Sequence, residues 1–327
     1  MQSSQTLTQI LEDQRTWRAS TVDDSASWIC TLSAECLAAL DEFIQNLRNE
    51  PRPITQIRIQ AAQLDPCRQC LQSVLTALDQ GRGFALVERL PLERYAIEET
   101  RAMYWALGQL LGLPFEQDIA GTLLYEVRDT GQDVNQGARF SVTNAESTFH
   151  MDNSFGPTIP DFVGLLCLNP ARSGGQSQLI SAYALHNELL EHHPAILDCL
   201  YQDFYFDRRG QFSKGEPPAL RAPIFHWDGL GLTIRYLHYY IQVGHQQAGQ
   251  PLEAHQKKAL EVVEALLHLP DFRVEFNLRP GQMLFTNNRW ILHNRTAFED
   301  HPDAERRRHY VRLWLRSQAP GVTSWAP

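Results

Sequence analysis

Apolar positions along this chain alternate between two periods, one helical and one extended. After Ser33, with Glu35 in the first turn, Leu37, Leu40, Phe43, Ile44 and Leu47 recur at three- and four-residue intervals, which predicts a capped amphipathic helix. Ile97 to Leu111 reads as a second helix stopping at Gly112, and Tyr183 to Leu200 and Leu252 to Leu269 as two more. Between them lie runs of strand length. Gly83 to Glu88 is one, and Phe162 to Leu168, bounded by Pro160 and Asn169-Pro170, is a buried strand. Ser173-Gly174-Gly175-Gln176-Ser177 is a glycine turn returning the chain into Gln178-Leu179-Ile180, with Ser177 facing in or out according to register. Phe276 to Phe285 reads as a strand, a Pro280-Gly281 turn and a second strand.

Against this pattern one polar triplet stands out, His150-Met151-Asp152. In a chain with 12 His and 38 acidic residues a His-x-Asp triplet is a common surface accident, so its flanks decide its weight. Residues 140 to 147 hold neither period and read as a loop leading in, while Asn153-Ser154-Phe155-Gly156-Pro157 opens another loop leading out. In extended backbone, positions two apart project to one face, so His150 and Asp152 are placed as two ligands of one ion must be. A distal histidine, His293, follows Asn287-Asn288 in a late strand. Two imidazoles and one carboxylate on one side of a metal form the facial set of non-haem Fe(II) enzymes, with other positions left open. In the final strand Arg308, Tyr310, Arg312 and Trp314 share a face. A guanidinium on an inward face needs an anionic partner, and a small dicarboxylate matches its two-pronged geometry.

The order of His150-x-Asp152, Gly174-Gly175-Gln176-Ser177, Pro280-Gly281 before Asn287-Asn288, His293-Asn294-Arg295-Thr296-Ala297-Phe298 and the terminal arginine strand resembles the taurine-dioxygenase/clavaminate-synthase-like family of Fe(II)- and 2-oxoglutarate-dependent oxygenases. The resemblance spans about residues 80 to 316. It implies His150, Asp152 and His293 as iron ligands and as the catalytic centre, Arg308 and Ser177 on the distal carboxylate of 2-oxoglutarate, and Arg312 on an acidic group of the substrate. It also implies Fe(II) as cofactor, with 2-oxoglutarate and O2 as co-substrates giving succinate and CO2. Halogenating relatives lack the carboxylate ligand, so Asp152 implies hydroxylation as the default, with desaturation or cyclisation as alternatives. Short strands interrupted by helices, with late strands returning beside early ones to bring the ligands together, suit a β-rich α+β fold, a double-stranded β-helix (jelly roll) with flanking helices. Residues 1 to 75 read as an N-terminal helical extension packed on the core and residues 76 to 327 as the oxygenase domain.

Composition fits a cytoplasmic enzyme. The chain has 327 residues, 43% of them hydrophobic, enough for a large core. No apolar stretch reaches the roughly 18 to 20 residues needed to cross a bilayer, so no membrane partner is expected. The first residues lack the basic start and apolar segment of a secretory signal. A net charge of −9 argues against nucleic acid and leaves a small molecule as the partner. Cys30, Cys36, Cys67, Cys70, Cys167 and Cys199 read as reduced thiols, and Cys67-x-x-Cys70 lacks a second such pair for a zinc site.

For the substrate, the candidate contacts are Asn144 and Glu146 in the loop before the triplet, Arg235, Tyr236, Tyr239 and Tyr240, and Arg312. Each has a plain alternative: a solvated loop acid, a structural ion pair, or a core stripe. Glu146 and Arg312 at two ends of a pocket would suit a zwitterion such as an amino acid or a derivative. Two other classes use the same pattern. A silent jelly-roll sensor or scaffold would keep the fold alone, and a zinc hydrolase would need no 2-oxoglutarate arginine.

Overall fold

The computed structural model describes residues 6–60, 62–132 and 139–318. After strand β1 (Ile29–Thr31), helix α1 (Ala34–Asn49) begins where the Ser33 hydroxyl accepts the Cys36 N–H at 3.2 Å. Helix α2 (Asp65–Asp79), strand β2 (Phe84–Glu88) and helix α3 (Ile97–Leu111) follow, then β3 (Leu113–Phe115) and β4 (Leu124–Val127). The middle of the chain runs through β5 (Phe162–Asn169), β6 (Ser173–Gly174), β7 (Ser177–Ser181), α4 (Ala182–His192), α5 (Pro194–Leu200), β8 (Asp203–Asp207) and β9 (Ala219–Pro223). It continues with β10 (Phe225–Trp227), β11 (Leu232–Ile234), α6 (His238–Gln247) and α7 (Ala254–Leu267). The last strands are β12 (Arg273–Phe276), β13 (Met283–Asn287), β14 (Ile291–Arg295), β15 (Phe298–Glu299) and β16 (His309–Arg316).

These elements form a mixed α+β structure around two main sheets. The larger has the order β1-β2-β13-β5-β16-β3, with β4 also on β16, and is antiparallel except for β1 beside β2. The smaller is β12-β7-β14. Strict alternation sorts the side chains of the larger sheet. Phe162, Leu166 and Leu168 of β5, Met283 and Phe285 of β13, and Val311, Leu313 and Leu315 of β16 pack with the buried stripes of α1, α2 and α3. Their neighbours Val163, Leu165, Leu284, Thr286 and Arg312 face a cavity whose far wall is β7 and β14. Apolar density on one face therefore fixes the register that turns the polar residues inward on the other.

Four details depart from the sequence reading. The helix expected over 183 to 200 breaks at His193, at φ −140°, because Pro194 restrains the residue before it from helical backbone. The helix expected over 252 to 269 is shorter, with Glu253 and Gln256 forming its capping box. The segment before residue 76, read as helical, also supplies β1 to the edge of the larger sheet. Cys36 and Cys67, read as thiols, are joined by a disulfide across the packed pair α1 and α2, whose Cα atoms approach to 4.5 Å there; Cys30, Cys70, Cys167 and Cys199 are free. Among the described residues no helix is long and apolar enough to cross a membrane.

One buried titratable group outside the cavity yields a test. His186 of α4 is fully buried with Nε2 3.0 Å from the Tyr201 hydroxyl, and burial lowers its pKa from 6.5 to about 4. A neutral folded histidine and a protonated unfolded one lose stability as pH falls from the unfolded value toward the folded one. Between about pH 7 and about pH 5 this group alone removes about 2 kcal/mol of unfolding free energy. In urea titrations H186F should lack that increment; an identical acid dependence in the two proteins would refute the assignment.

Candidate metal and co-substrate site

The two histidines are brought together by backbone. His150 and His293 form an isolated antiparallel bridge, exchanging N–H to carbonyl bonds of 3.0 and 2.8 Å, and their rings lie 4.4 Å apart. Asp152, at the start of the following turn, places Oδ1 3.8 Å from His150 Nε2 and 3.7 Å from His293 Nε2. Among the described residues these three side chains are the one group of this kind arranged to hold a metal ion. Their donor set, two imidazole nitrogens and a carboxylate oxygen, fits Fe(II).

Two of the three side chains, His150 and Asp152, are held from behind, whereas His293 Nδ1 has no hydrogen-bond partner among the described residues. Thr148 and Asn153 bracket the triplet at φ 57° and 58°, and such a backbone is unusual for a β-branched threonine. The Thr148 carbonyl lies 2.8 Å from His150 Nδ1, which fixes the proton there and leaves Nε2 as the donor atom. Burial first, and His293 second, lower the pKa of His150 to about 3, so the imidazole is neutral and ready for a metal. The Asn288 side chain clamps the backbone of the triplet, accepting the Asp152 N–H at 2.8 Å and donating to the Asp152 carbonyl at 2.9 Å and the Pro160 carbonyl at 3.1 Å. The Trp314 indole N–H donates to Asp152 Oδ2 at 2.7 Å, and Arg312 Nη1 donates to Oδ1 at 3.1 Å. Burial opposes the charge on Asp152, and Arg312 with the two histidines outweighs it, holding the carboxyl well below its usual range. W314F removes the donor that fixes the outward oxygen; the expected result is about tenfold weaker Fe(II) binding in a competitive chelator titration, with a melting temperature close to wild type. Unchanged affinity would mean that Trp314 only packs.

Behind the ligands the cavity between the sheets ends at Arg308, which is 4% exposed and stacks 3.9 Å from the centroid of Tyr310. Its Nε and Nη1 have no hydrogen-bond partner, and no carboxylate lies within ion-pair distance among the described residues. A buried guanidinium with two unsatisfied nitrogens is costly, and an anion in this cavity would supply the missing acceptor. The glycine turn makes the room. Gly174 at φ 69° could not carry a side chain, because a Cβ would strike the Ala297 carbonyl, and Gly175 lies beneath Arg308 Nε. Ser177, whose register the sequence leaves open, lines the cavity in the first position of β7.

The predicted residues therefore divide. His150, Asp152, His293, Ser177, Arg308 and Arg312 meet around one cavity. Glu146 and Asn144, expected at the substrate, are exposed and outside the lining; Glu146 accepts from Asn294 Nδ2 at 2.9 Å, and the Asn144 carbonyl accepts the Phe298 N–H. Arg235 is fully buried and donates to the carbonyls of Ser154 and Gly156 at 3.0 and 2.7 Å, which makes it a brace for the loop after the triplet. Tyr236 is fully buried too, its hydroxyl bonded to Glu264 of α7 at 2.5 Å. Local groups occupy these side chains: backbone carbonyls take the Arg235 guanidinium, and side chains take Glu146 and the Tyr236 hydroxyl. Sequence reasoning quoted Asn288 only within the motif order and did not single out Gln117, Arg139 or the Trp314 bond. Period-two spacing beside Arg312 was a signal for Trp314, whereas Gln117 and Arg139 sit in loops without one.

A family model described as Taurine catabolism dioxygenase TauD, TfdA family matches residues 38–314. The FR-33289 synthase of Streptomyces rubellomurinus (strain ATCC 31215) is 28% identical over 304 residues, covering 91% of this chain and 88% of the relative. A uridine-5'-phosphate dioxygenase of Amycolatopsis sp is 31% identical over 161 residues, covering 49% of this chain and 56% of the relative. Among solved structures, an asparagine oxygenase in complex with Fe(II), 2S,3S-3-hydroxyasparagine and succinate superposes with a TM-score of 0.63 at 18% identity, covering 88% of this chain and 93% of the other.

Proposed function

Because the chain belongs to the taurine catabolism dioxygenase TauD, TfdA family, and is thereby an Fe(II)- and 2-oxoglutarate-dependent oxygenase, we propose that it hydroxylates an unactivated C–H bond of a small, charged metabolite. The observation that carries this reading is Arg308, a buried guanidinium whose Nε and Nη1 have no hydrogen-bond partner, in the same cavity as the His-Asp-His set. A zinc hydrolase with the same ligands would have no use for it. In this reading the larger and smaller sheets are the two sides of a double-stranded β-helix, and residues 1 to 75 are an extension built onto the 76 to 327 unit.

His150, Asp152 and His293 hold the iron, and Arg308 with Ser177 holds the distal carboxylate of 2-oxoglutarate. Iron held by His150, Asp152 and His293 would supply the oxidising chemistry, with 2-oxoglutarate and O2 as co-substrates and succinate and CO2 as co-products. The protein's own groups do the positioning. Thr148 keeps the His150 proton on Nδ1, Trp314 fixes the outward oxygen of Asp152, and the apolar wall of Val163, Leu165, Leu179 and Leu284 excludes water beside the co-substrate. Arg312, which touches two cavities that share Asp152, meets the acidic group of the substrate. With Glu146 bonded to Asn294 outside the cavity, an anionic head is favoured over a zwitterion. The phosphate ester in the name of one relative agrees with this charge preference.

The test is succinate release from 2-oxoglutarate over a panel of amino acids, dicarboxylates, sulfonates, phosphate esters and phosphonates, plus neutral lipids. Stimulation by anionic members, with a product that gains one oxygen atom, supports hydroxylation; a product that loses two hydrogens identifies desaturation or cyclisation. Stimulation by neutral lipids alone would overturn the proposed charge preference.

A further inference from the structure

A second cavity shares His150, Asp152 and Arg312 with the first and is also bounded by Arg139 and Tyr240, without Arg308. Its charge is one-sided. Among the described residues Asp152 is the only carboxylate in its wall, and that group already serves the candidate metal site, Arg312 and Trp314. Arg312 gives Nη1 to Asp152 and Nε to Gln117 at 2.8 Å, and its Nη2 has no partner among the described residues. The Arg139 guanidinium has no ion pair among the described residues; the acid it influences, Asp118, accepts the backbone N–H groups of Ala120 and Thr122. Tyr240 is 8% exposed, and Arg139, Arg209 and Arg312 all act on its phenol. Of these, Arg209 is offset by Asp207, whose Oδ2 lies 3.3 Å from its Nη1.

We infer that Arg139, the Tyr240 hydroxyl and Arg312 form a substrate-side site for a doubly charged tetrahedral head, a phosphoryl or phosphonyl group. This rests on the oxygenase reading, and charge balance carries it. Iron, Arg308 and Arg295 would face Asp152 and the 2-oxoglutarate dianion in the first cavity, and Arg139 and Arg312 are the two guanidiniums in the wall of the second. A carboxylate or sulfonate would neutralise only one of them. Two guanidiniums and a hydroxyl supply the several donors that the oxygens of a phosphoryl group accept. Tyr240 also separates the reading from simple attraction, because a phenol adds direction without charge.

The experiment uses the full chain saturated with Mn(II) and 2-oxoglutarate, titrated calorimetrically at about pH 8 with inorganic phosphate, methyl phosphate, methylphosphonate, methanesulfonate and acetate. Dianions should bind about tenfold more tightly than monoanions, and R139A and Y240F should each weaken phosphate binding about tenfold while leaving 2-oxoglutarate affinity unchanged. Either ranking of methyl phosphate against methylphosphonate supports the site and assigns the source of the head group. Equal affinities for acetate and phosphate, or wild-type phosphate binding by folded R139A, would overturn it. The outcomes stay separate from those of the oxygenase reading. Failure of 2-oxoglutarate to bind, or binding indifferent to Arg308, sinks that reading first, whereas Arg308-dependent 2-oxoglutarate binding with no role for Arg139 sinks only this site.

Discussion

D152A is expected to lower succinate formation at least about 1000-fold at saturating 2-oxoglutarate, because it removes a ligand and in the same step leaves the buried Arg312 uncompensated, at a cost of about 4 kcal/mol. The carboxylate is the sole negative group among two imidazoles, the Arg312 guanidinium and the Trp314 indole N–H. Without it a cation would face Arg312 uncompensated. The control is Arg312 itself: in R312A the carboxylate keeps its bond from Trp314, so iron binding should survive while substrate saturation shifts. If D152A retained a tenth of wild-type turnover, Asp152 would not be a ligand.

The second large effect is at Arg308. R308A should raise the KM for 2-oxoglutarate about 100-fold, the cost of a lost two-pronged carboxylate contact in a buried site, with little change in the KM of the organic substrate. The same variant carries an unusual stability signature. In the protein without 2-oxoglutarate, Arg308 is a buried cation whose Nε and Nη1 find no partner, its charge favoured by the Tyr310 side chain, Cys167 and Asp300 against the cost of burial. Removing it should leave the melting temperature of the ligand-free protein unchanged or higher, while 2-oxoglutarate stabilises wild type and not the variant. Equal KM increases for both substrates would move the co-substrate assignment to another group, Arg295 being the nearest rival in the same cavity.

Most of the metal site was legible because it depends on short-range geometry. Two positions apart in extended chain meant one face for His150 and Asp152, and the same rule aligned Arg308 with Arg312 and Trp314. What brings His293 to His150 is a single backbone bridge between distant segments, and only the family order of motifs anticipated it. Ser177 needed the actual register of β7, where it opposes Arg295 on one neighbour and Phe276 on the other. The substrate side was illegible for a different reason. Glu146, Arg235 and Tyr236 look functional as isolated polar residues, yet each finds a partner that no local pattern announces, in the Asn294 side chain of β14, in backbone carbonyls and in Glu264 of α7. Arg139 and Gln117 sit in irregular segments, where side-chain direction follows tertiary contacts.

The account stands most directly on one spectrum. Under anaerobic conditions, adding Fe(II) and 2-oxoglutarate to the folded wild-type protein should produce a weak visible charge-transfer absorption; H150A should lack it, and R308A should require about 100-fold more 2-oxoglutarate to develop it. Absence of the band in folded wild type, or its persistence in H150A, would contradict a His150-Asp152-His293 iron site with 2-oxoglutarate anchored on Arg308.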